Sequence, residues 1–216
     1  MKPGHLQRLI AEGEHQQQDF KFEITSACKI ARSLSAFANT EGGRLLIGVK
    51  DNGTIAGVRS DEEMYMVEAA GEVWCDPPVH PHMTAYRVAS PSSAHETRTV
   101  VVAQIDPAMR RPVRARLEDG TYRAFVRIAD ENIAASPVQM ELWRCEGMTD
   151  GTLVPFTDAE RSLLTLLATS GPLSLNQFCR RARVPRHRAV RLLAAFIRFG
   201  LVNESFHNHT FLYSAT

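Results

Sequence analysis

The chain has 216 residues, of which 44% are hydrophobic and 23% are charged, a composition typical of soluble globular proteins. No apolar run reaches the length of a membrane span, and the first residues lack the apolar core of a signal peptide, so we expect a cytoplasmic protein without a membrane partner. The cysteines form no C-x-x-C pair, which argues against a disulfide framework and against a zinc ribbon.

Residues 1–148 predict a mixed α/β domain. The helix over 25–39 ends at Asn39, just before two glycines, and the pair Asn52-Gly53 predicts a tight hairpin between strands at 44–50 and 54–58. The remaining elements predicted from apolar periodicity are helices at 5–12, 61–74 and 136–145 and strands at 19–24, 83–88, 99–105 and 121–128.

A linker is predicted at 149–154, and residues 155–216 change to three close helices followed by two strands. Thr157-x-x-Glu160 and Ser174-x-x-Gln177 are capping-box patterns that open the first two helices. The third helix begins near Pro185 and carries an apolar stripe, formed by Val190, Leu193, Ala194 and Ile197. This order is typical of a winged helix-turn-helix domain, so the predicted fold class is α+β.

Charge is distributed unevenly between these two parts. Residues 155–216 contain eight arginines and no lysine against three acidic residues, a net charge of +5, which leaves −4 on the rest. Around the start of the third helix we predict nucleic-acid-binding residues, namely Arg180, Arg181, Arg183, Arg186, His187, Arg188 and Arg191. Arginine can bind phosphate or a guanine edge with two hydrogen bonds, and helix-turn-helix proteins insert this helix in the major groove. A solvated charged face, or a face used for dimerisation, would explain the same residues.

Three segments carry a family resemblance: Glu14-x-x-x-x-Asp19-Phe-Lys21, AFANTEGGRLLIGVKDNGTIAGV at 36–58, and FVRIADENIAAS at 125–136. Over about residues 10–140 the chain resembles the Schlafen AlbA-type domain family, also described as DNA-binding or divergent AAA-like. Bacterial members often carry a C-terminal winged helix and are described as transcriptional regulators. The motif residues that we single out are Lys21, Asn39, Thr40, Gly42, Gly43 and Arg127. Glycines allow a ligand or a backbone to approach closely, and a tight turn that contacts no ligand explains them equally well.

The eukaryotic Schlafen proteins imply a sharper hypothesis, because their matching domain acts as an RNA nuclease through three acidic residues. The matching positions here are Glu14, Asp19 and Asp51. Three convergent carboxylates could hold Mg²⁺ or Mn²⁺ and so polarise a phosphodiester. Two departures weaken the match, since Asp19 replaces the usual glutamate and Lys50 stands where an acid is common.

The sequence therefore favours a DNA-binding transcriptional regulator that works as a homodimer and needs no cofactor, with RNA as a second candidate partner. A metal-dependent nuclease of RNA or DNA is one alternative. A protein-interaction module is the other. Nothing in the sequence resembles a nucleotide-binding phosphate loop.

Overall fold

The structure is a computed structural model, which describes residues 4–58, 62–90, 93–146 and 157–216. Contacts divide the chain into two compact units, Met1–Ala135 and Ser136–Thr216. The division falls before the helix predicted at 136–145, whereas the sequence analysis placed it after that helix. The linker predicted at 149–154 lies outside the described residues. Mixed helices and open sheets confirm the α+β class.

The first unit combines helices with two four-stranded sheets. Its described elements, in chain order, are α1 (Gly4–Glu12), β1 (Gln18–Lys21), α2 (Ala27–Asn39), β2 (Gly43–Ile47), α3 (Glu62–Trp74), β3 (Cys75–Asp76), β4 (His82–Ser90), β5 (Ser93–Ile105), β6 (Arg114–Arg116), β7 (Tyr122–Ile128) and β8 (Glu131–Ala134). One sheet has the order β1-β2-β5-β4, with β1 and β2 parallel and the other neighbours antiparallel. The other sheet has the order β3-β6-β7-β8 and is antiparallel.

Helix α2 is the centre of this unit. Ten of its thirteen residues are buried, which is expected of a helix covered on both sides rather than one that lies on a surface. Its apolar side chains, including Leu34 and Phe37, form one core with residues from both sheets. The sheet residues of that core include Leu45, Ile47, Val101, Ala103, Ala115 and Phe125.

Side chains on the first sheet alternate between two cores, because successive residues of a strand point to opposite faces. Leu45 and Ile47 of β2 face α2, whereas Leu46 faces the other side. There it packs with Leu6 and Leu9 of α1. The amphipathic N-terminal helix therefore covers the face of the sheet that α2 leaves open.

The hairpin predicted at Asn52-Gly53 is not formed as expected. Val49 and Ile55 make an isolated bridge, and the described residues 54–58 form no second strand. The backbone N–H groups of Ala56 and Gly57 instead donate to the carbonyl of Gly48, at 2.8 and 2.9 Å. The turn is therefore present, but the chain after it folds back over the end of β2.

The second unit contains four helices and three strands within the described residues. They are α4 (Pro137–Arg144), α5 (Asp158–Ser170), β9 (Leu173–Ser174), α6 (Leu175–Ala182), α7 (Arg186–Arg198), β10 (Val202–His207) and β11 (Thr210–Ala215). The strands form an antiparallel sheet in the order β10-β11-β9. A two-residue loop, Asn208-His209, joins β10 to β11 with positive φ at both positions, as a tight hairpin requires.

Helix boundaries in this unit follow the capping residues. The box predicted at Ser174 and Gln177 is confirmed, since each side chain bonds the backbone N–H of the other residue. At the start of α5, the Glu160 carboxylate accepts from the backbone N–H of Thr157 at 3.1 Å. Arg183 ends α6 with a left-handed φ of 53°, so three residues connect α6 to α7.

The apolar stripe predicted on α7 is wrong in phase by about one residue. Leu193 and Ala194 are buried as predicted, but the other buried positions are Ala189, Leu192 and Phe196. Val190 and Ile197 are half-buried at the edges of the stripe. No helix in the described part of the chain is long and apolar enough to cross a membrane.

Candidate functional site

Strand β1 places two charged motif residues side by side. Phe20 points into the core beneath α1, so Asp19 and Lys21 share the opposite face of the strand. The Asp19 side chain is 4% exposed, and its Oδ2 lies 2.7 Å from the Nζ of Lys21. The buried Asp19 carboxylate is therefore in direct contact with one cation, the Lys21 ammonium group.

Arg127 of β7 approaches the same carboxylate. Its Nη2 lies 3.4 Å from Asp19 Oδ1, and its side chain is only 1% exposed. The guanidinium also donates to the Asn132 side chain at 3.0 Å and to the carbonyl of Gln18 at 3.2 Å, and it lies over the Phe37 ring. The motif residues Lys21 and Arg127 thus converge on Asp19, from strands of different sheets.

Glu14 joins this cluster from the loop before β1. Its Oε1 accepts from the backbone N–H of Phe20 at 2.9 Å. Burial raises the pKa of Glu14, and a hydrogen bond with Asp19 raises it further. One proton shared near these two carboxylates would relieve their repulsion. We name Glu14, Asp19, Lys21 and Arg127 the acidic cluster.

The third predicted acid does not complete a metal site. Asp51 is exposed, in the turn after Val49. Among the described residues there is no group of three or more histidine, cysteine, aspartate or glutamate side chains arranged to hold a metal ion. Because Lys21 and Arg127 already neutralise Asp19, the residues present do not fit Mg²⁺ or Mn²⁺. The expected convergence of Glu14, Asp19 and Asp51 is therefore not found.

Asn39 has a structural task at the end of α2. Its Nδ2 donates to the carbonyls of Val113 and Phe125, at 2.8 and 2.9 Å, and its Oδ1 accepts from the N–H of Val113 at 2.8 Å. The residue is 2% exposed. Its amide therefore joins α2 to the second sheet. The hydroxyl of Thr40, the next residue, donates to the carbonyl of Ala36 at 2.8 Å.

The two glycines after Thr40 permit close backbone packing. A Cβ on Gly42, where φ is +74°, would lie 2.7 Å from the carbonyl oxygen of Ile105. A Cβ on Gly43 would lie 2.3 Å from the ring of Phe37. The sequence left open whether these glycines bind a ligand or form a tight turn. The close contacts give a packing reason for both glycines.

The second unit carries a different kind of surface around α7. All seven predicted nucleic-acid-binding residues are exposed, and they follow one another along the end of α6, the connecting turn and the start of α7. We name them the basic face: Arg180, Arg181, Arg183, Arg186, His187, Arg188 and Arg191. Arg188 and Arg191 are spaced i, i+3, so they are neighbours on the helix surface.

Acidic residues compensate this face weakly. With α4 included, the second unit has nine arginines against six acidic residues, a net charge of +3. Glu141 binds Arg144 at 2.7 Å, Asp158 binds Arg161 at 3.3 Å, and Glu204 accepts a hydrogen bond from Ser136 at 3.1 Å. Two acids act on the basic face: Glu160 lies 3.8 Å from Arg188, and Glu141 attracts Arg191 electrostatically.

Two surface grooves of the first unit lie apart from the predicted site residues. One, of about 410 Å³, is lined by Tyr65, Glu68, Val73 and His80 among others. The second, of about 370 Å³, lies beside it and shares His80. Ala38, which lines the second groove, belongs to the segment at 36–58, but the other lining residues come from separate elements without a common pattern in the sequence.

In the first unit, Lys21 and Arg127 neutralise the acidic cluster, and the second unit exposes the basic face. An α+β protein with these features is compatible with nucleic-acid binding. A model of the family described as Schlafen, AlbA_2 matches residues 14–136, more than half of the chain. The chain therefore belongs to the Schlafen, AlbA_2 family.

Among solved structures, the chain is similar to the DIP2311 protein from Corynebacterium diphtheriae, with 16% sequence identity and a TM-score of 0.49. The match covers 97% of this chain and 38% of that chain, so the present sequence spans well under half the length of that protein. No curated protein matches the sequence.

Proposed function

We propose that this protein is a DNA-binding transcriptional regulator, and that the basic face is the surface that contacts DNA. The exposure of six arginines around one inter-helix turn carries the proposal. Arginine side chains that no acid neutralises attract phosphate, and each phosphate contact releases a condensed counterion. The N-terminus of α7 adds backbone N–H groups and a positive helix dipole at the same place.

The arrangement of the second unit supports a winged helix-turn-helix. Three helices, α5, α6 and α7, precede the hairpin β10–β11, and β9 pairs with β11 ahead of α6. In this proposal α7 is the recognition helix, because it is the second helix of the α6–α7 pair. The hairpin, with His207 and His209 exposed at its tip, is the wing. Residues 149–154 then act as the linker between a Schlafen AlbA-like domain at 1–148 and this domain at 155–216.

The regulator is proposed to act as a homodimer, since one recognition helix reads few base pairs and paired helices read two half-sites. The first unit would then carry the dimer contacts or an effector response. A metal-dependent nuclease is the weaker alternative, because Lys21 and Arg127 already neutralise Asp19 and the described residues place no third acid beside it. If the protein does not bind nucleic acid, a protein-interaction module becomes the favoured alternative.

Binding by fluorescence anisotropy tests the proposal directly. The parent protein is titrated onto labelled duplex DNA, single-stranded DNA and RNA of the same sequence, each at 50 and 200 mM salt. We expect the tightest binding to duplex DNA and a steep loss of affinity at the higher salt. The double variant Arg188→Ala/Arg191→Ala should bind duplex DNA weakly at both salt concentrations.

Arg198→Ala is the matched control. It removes an exposed arginine from the same helix, about 10 Å beyond Arg191 and about 15 Å beyond Arg188 at 1.5 Å per residue. Its affinity should stay close to that of the parent. If the double variant binds duplex DNA as well as Arg198→Ala does, α7 does not face DNA. If the parent protein binds RNA more tightly than duplex DNA, the partner is RNA and not DNA.

A further inference from the structure

Helix α3 carries an apolar ridge on its outer side. Tyr65, Ala69 and Val73 are spaced i, i+4, i+8, so they lie in one line along the helix surface. Tyr65 is 71% exposed and Val73 is 58% exposed, although the opposite side of the helix is buried at Val67 and Ala70. A tyrosine and a valine that share an exposed line on one helix are candidates for a protein-binding surface, where tyrosine is enriched.

This ridge forms one wall of the larger surface groove of the first unit, whose volume is about 410 Å³. Residues 79–81 form the other wall. The N–H of Val79 donates to the carbonyl of Gly71 at 3.1 Å, and a Cβ on Gly71 would lie 2.0 Å from the carbonyl oxygen of Val79. The two walls are therefore held close together, and a preformed groove lowers the conformational cost of binding.

Carboxylates line the same groove. Helix α3 contains four glutamates and no basic residue, and two of them, Glu68 and Glu72, are in the lining. The Glu68 carboxylate makes no hydrogen bond or ion pair with another described residue. Glu72 lies 3.4 Å from the Nδ1 of His80, but both side chains are more than half exposed, so a second cation can reach this pair. The groove thus offers apolar contact beside negative charge.

A second groove continues the first, since Val79 and His80 line both. It has a volume of about 370 Å³ and includes the fully exposed Met109. Pockets for small molecules bury most of the ligand surface, which such exposed walls cannot do. A peptide chain can instead follow the two grooves in succession. Glutamates repel phosphate, so nucleic acid does not fit this surface.

We propose that these two grooves bind an extended, basic peptide segment of another protein. A lysine or arginine of that segment would lie beside Glu68 and Glu72. An apolar side chain next to it would pack on Tyr65 and Val73. A second copy of this chain fits less well, because the arginines of the basic face belong to α6, α7 and the short turn between them and not to an extended segment. The inference goes beyond the proposed function and does not depend on it.

Selection from a phage library of random peptides, each about twelve residues long, identifies the chemistry that the grooves accept. The full-length protein is the bait, in the absence of DNA. We expect the enriched peptides to place lysine or arginine next to an aromatic or aliphatic residue. Enrichment of acidic or uncharged peptides, or no enrichment at all, overturns the proposal.

Variants in the lining show whether the peptide binds there. The most enriched peptide is labelled and titrated by fluorescence anisotropy. The double variant Glu68→Gln/Glu72→Gln should weaken its binding roughly tenfold at 50 mM salt and less at 200 mM, because salt screens exposed ion pairs. Tyr65→Ser should weaken binding at both salt concentrations, because apolar contact is not screened. All three positions are exposed, and thermal unfolding checks that each variant is folded.

Glu62→Gln is the matched control, because it removes an exposed carboxylate from the first turn of the same helix, outside the groove lining. Its affinity for the peptide should stay close to that of the parent. If Glu62→Gln weakens binding as much as Glu68→Gln/Glu72→Gln does, or if the double variant binds like the parent, the peptide binds elsewhere and the proposal is overturned.

Sedimentation velocity without peptide tests the second copy as the occupant. If the parent self-associates and Glu68→Lys/Glu72→Lys alone prevents this, the grooves are an interface between copies of the chain, which also overturns the proposal. We expect the charge reversal to leave the oligomeric state unchanged and to abolish peptide binding. The DNA titration of the basic face uses other variants, so failure of the peptide site and failure of the proposed function are distinguishable.

Discussion

Asn39 and Val113 are joined by two hydrogen bonds that run in opposite directions. The Asn39 Nδ2 donates to the carbonyl of Val113, and the Val113 N–H donates to the Asn39 Oδ1, both at 2.8 Å. The segment before β6 thereby gains a partner of the kind a neighbouring strand would supply. A side chain at the end of α2 thus replaces part of a sheet ladder and holds the second sheet against the central helix.

Asn39→Ala should strongly destabilise the first unit. It leaves the N–H and the carbonyl of Val113 without these partners, together with one bond to the carbonyl of Phe125, in a fully buried place. Each buried group without a partner costs about 1–3 kcal/mol, so we expect a loss of roughly 3 kcal/mol or more in the free energy of unfolding. Urea denaturation measures it. Gln104→Ala, which removes an exposed amide from β5, is the control and should cost little. Equal midpoints for the two variants would contradict this assignment.

Lys21 and Arg127, the two cations of the acidic cluster, should contribute unequally to the free energy of unfolding. Arg127 is buried and binds three groups, whereas the Lys21 side chain is 31% exposed. Removing the partner of a buried charge costs about 3–5 kcal/mol, while an exposed pair contributes about 1 kcal/mol or less. Arg127→Met should therefore lower the free energy of unfolding by several times as much as Lys21→Met. A double-mutant cycle with Asp19→Asn should show coupling between Asp19 and Arg127. Additive effects would mean that the 3.4 Å pair contributes nothing.

Mg²⁺ and Mn²⁺ should produce neither cleavage of RNA or DNA nor thermal stabilisation of the protein. A cation at Glu14 and Asp19 would have to compete with Lys21 and Arg127, and Asp51 supplies no third ligand there. Gel assays with labelled RNA and DNA, in either metal and in EDTA, provide the measurement. Metal-dependent cleavage that disappears in Glu14→Gln would establish the nuclease alternative instead.

Deprotonation of Glu204 should make the second unit less stable as the pH rises. Burial is the main cause that raises the pKa of Glu204, and hydrogen bonds from Tyr213 and Ser136 oppose it in part. The folded state therefore binds this proton more tightly than the unfolded state does. The resulting stability is fully present below the ordinary glutamate pKa of 4.5 and is lost as the pH rises through the raised value.

Thermal unfolding measured from pH 4 to pH 8 checks this direction. Glu204→Gln keeps an acceptor for Ser136 and removes the titration, so its stability should vary less with pH over this range than that of the parent. Asp158→Asn, at an exposed acid on α5, should leave the parent's profile unchanged. A Glu204→Gln profile parallel to that of the parent would show that another group is responsible.

The sequence predicted the elements well where one local pattern decides them. α2 and α7 follow from apolar spacing and from their stop signals, and α6 follows from the Ser174 capping box. The prediction of a strand after Asn52-Gly53 was wrong, because the backbone N–H groups there donate to the carbonyl of Gly48 and do not form a hairpin ladder. Turn chemistry fixes the turn but not the pairing beyond it.

The acidic cluster shows the corresponding limit for sites. The family resemblance brought Glu14 and Asp19 to attention together, and they are neighbours. That Arg127 neutralises Asp19 depends on how β7 is placed against β1, and these strands are more than a hundred residues apart in the sequence. The basic face could be predicted because its members are close together in the chain and charged, so their exposure did not depend on the exact phase of the apolar stripe on α7.

The arginines of the basic face should divide into two groups by the way each affects binding. Arg180 and Arg181 lie in the last turn of α6 and Arg183 ends it, so we expect them to contact the phosphate backbone. Replacing any one of them with alanine should weaken all duplex sequences alike and reduce the salt slope by about one unit. Arg186, Arg188 and Arg191 lie in the first two turns of α7, the part that enters the major groove in helix-turn-helix proteins.

Loss of a base-reading arginine has a different signature. Such a contact contributes about 1–3 kcal/mol of discrimination, so Arg188→Ala or Arg191→Ala should relax preference at one base position in a selection from random duplexes. Arg186 already donates to Asn176 at 2.6 Å and Arg188 lies 3.8 Å from Glu160, whereas the electrostatic attraction of Arg191 to Glu141 involves no hydrogen bond or ion pair within 4 Å among the described residues. We therefore expect the largest change in preference from Arg191→Ala. If every arginine of the face changes only the salt slope, the protein binds duplex DNA through its backbone, and sequence must be read by another element.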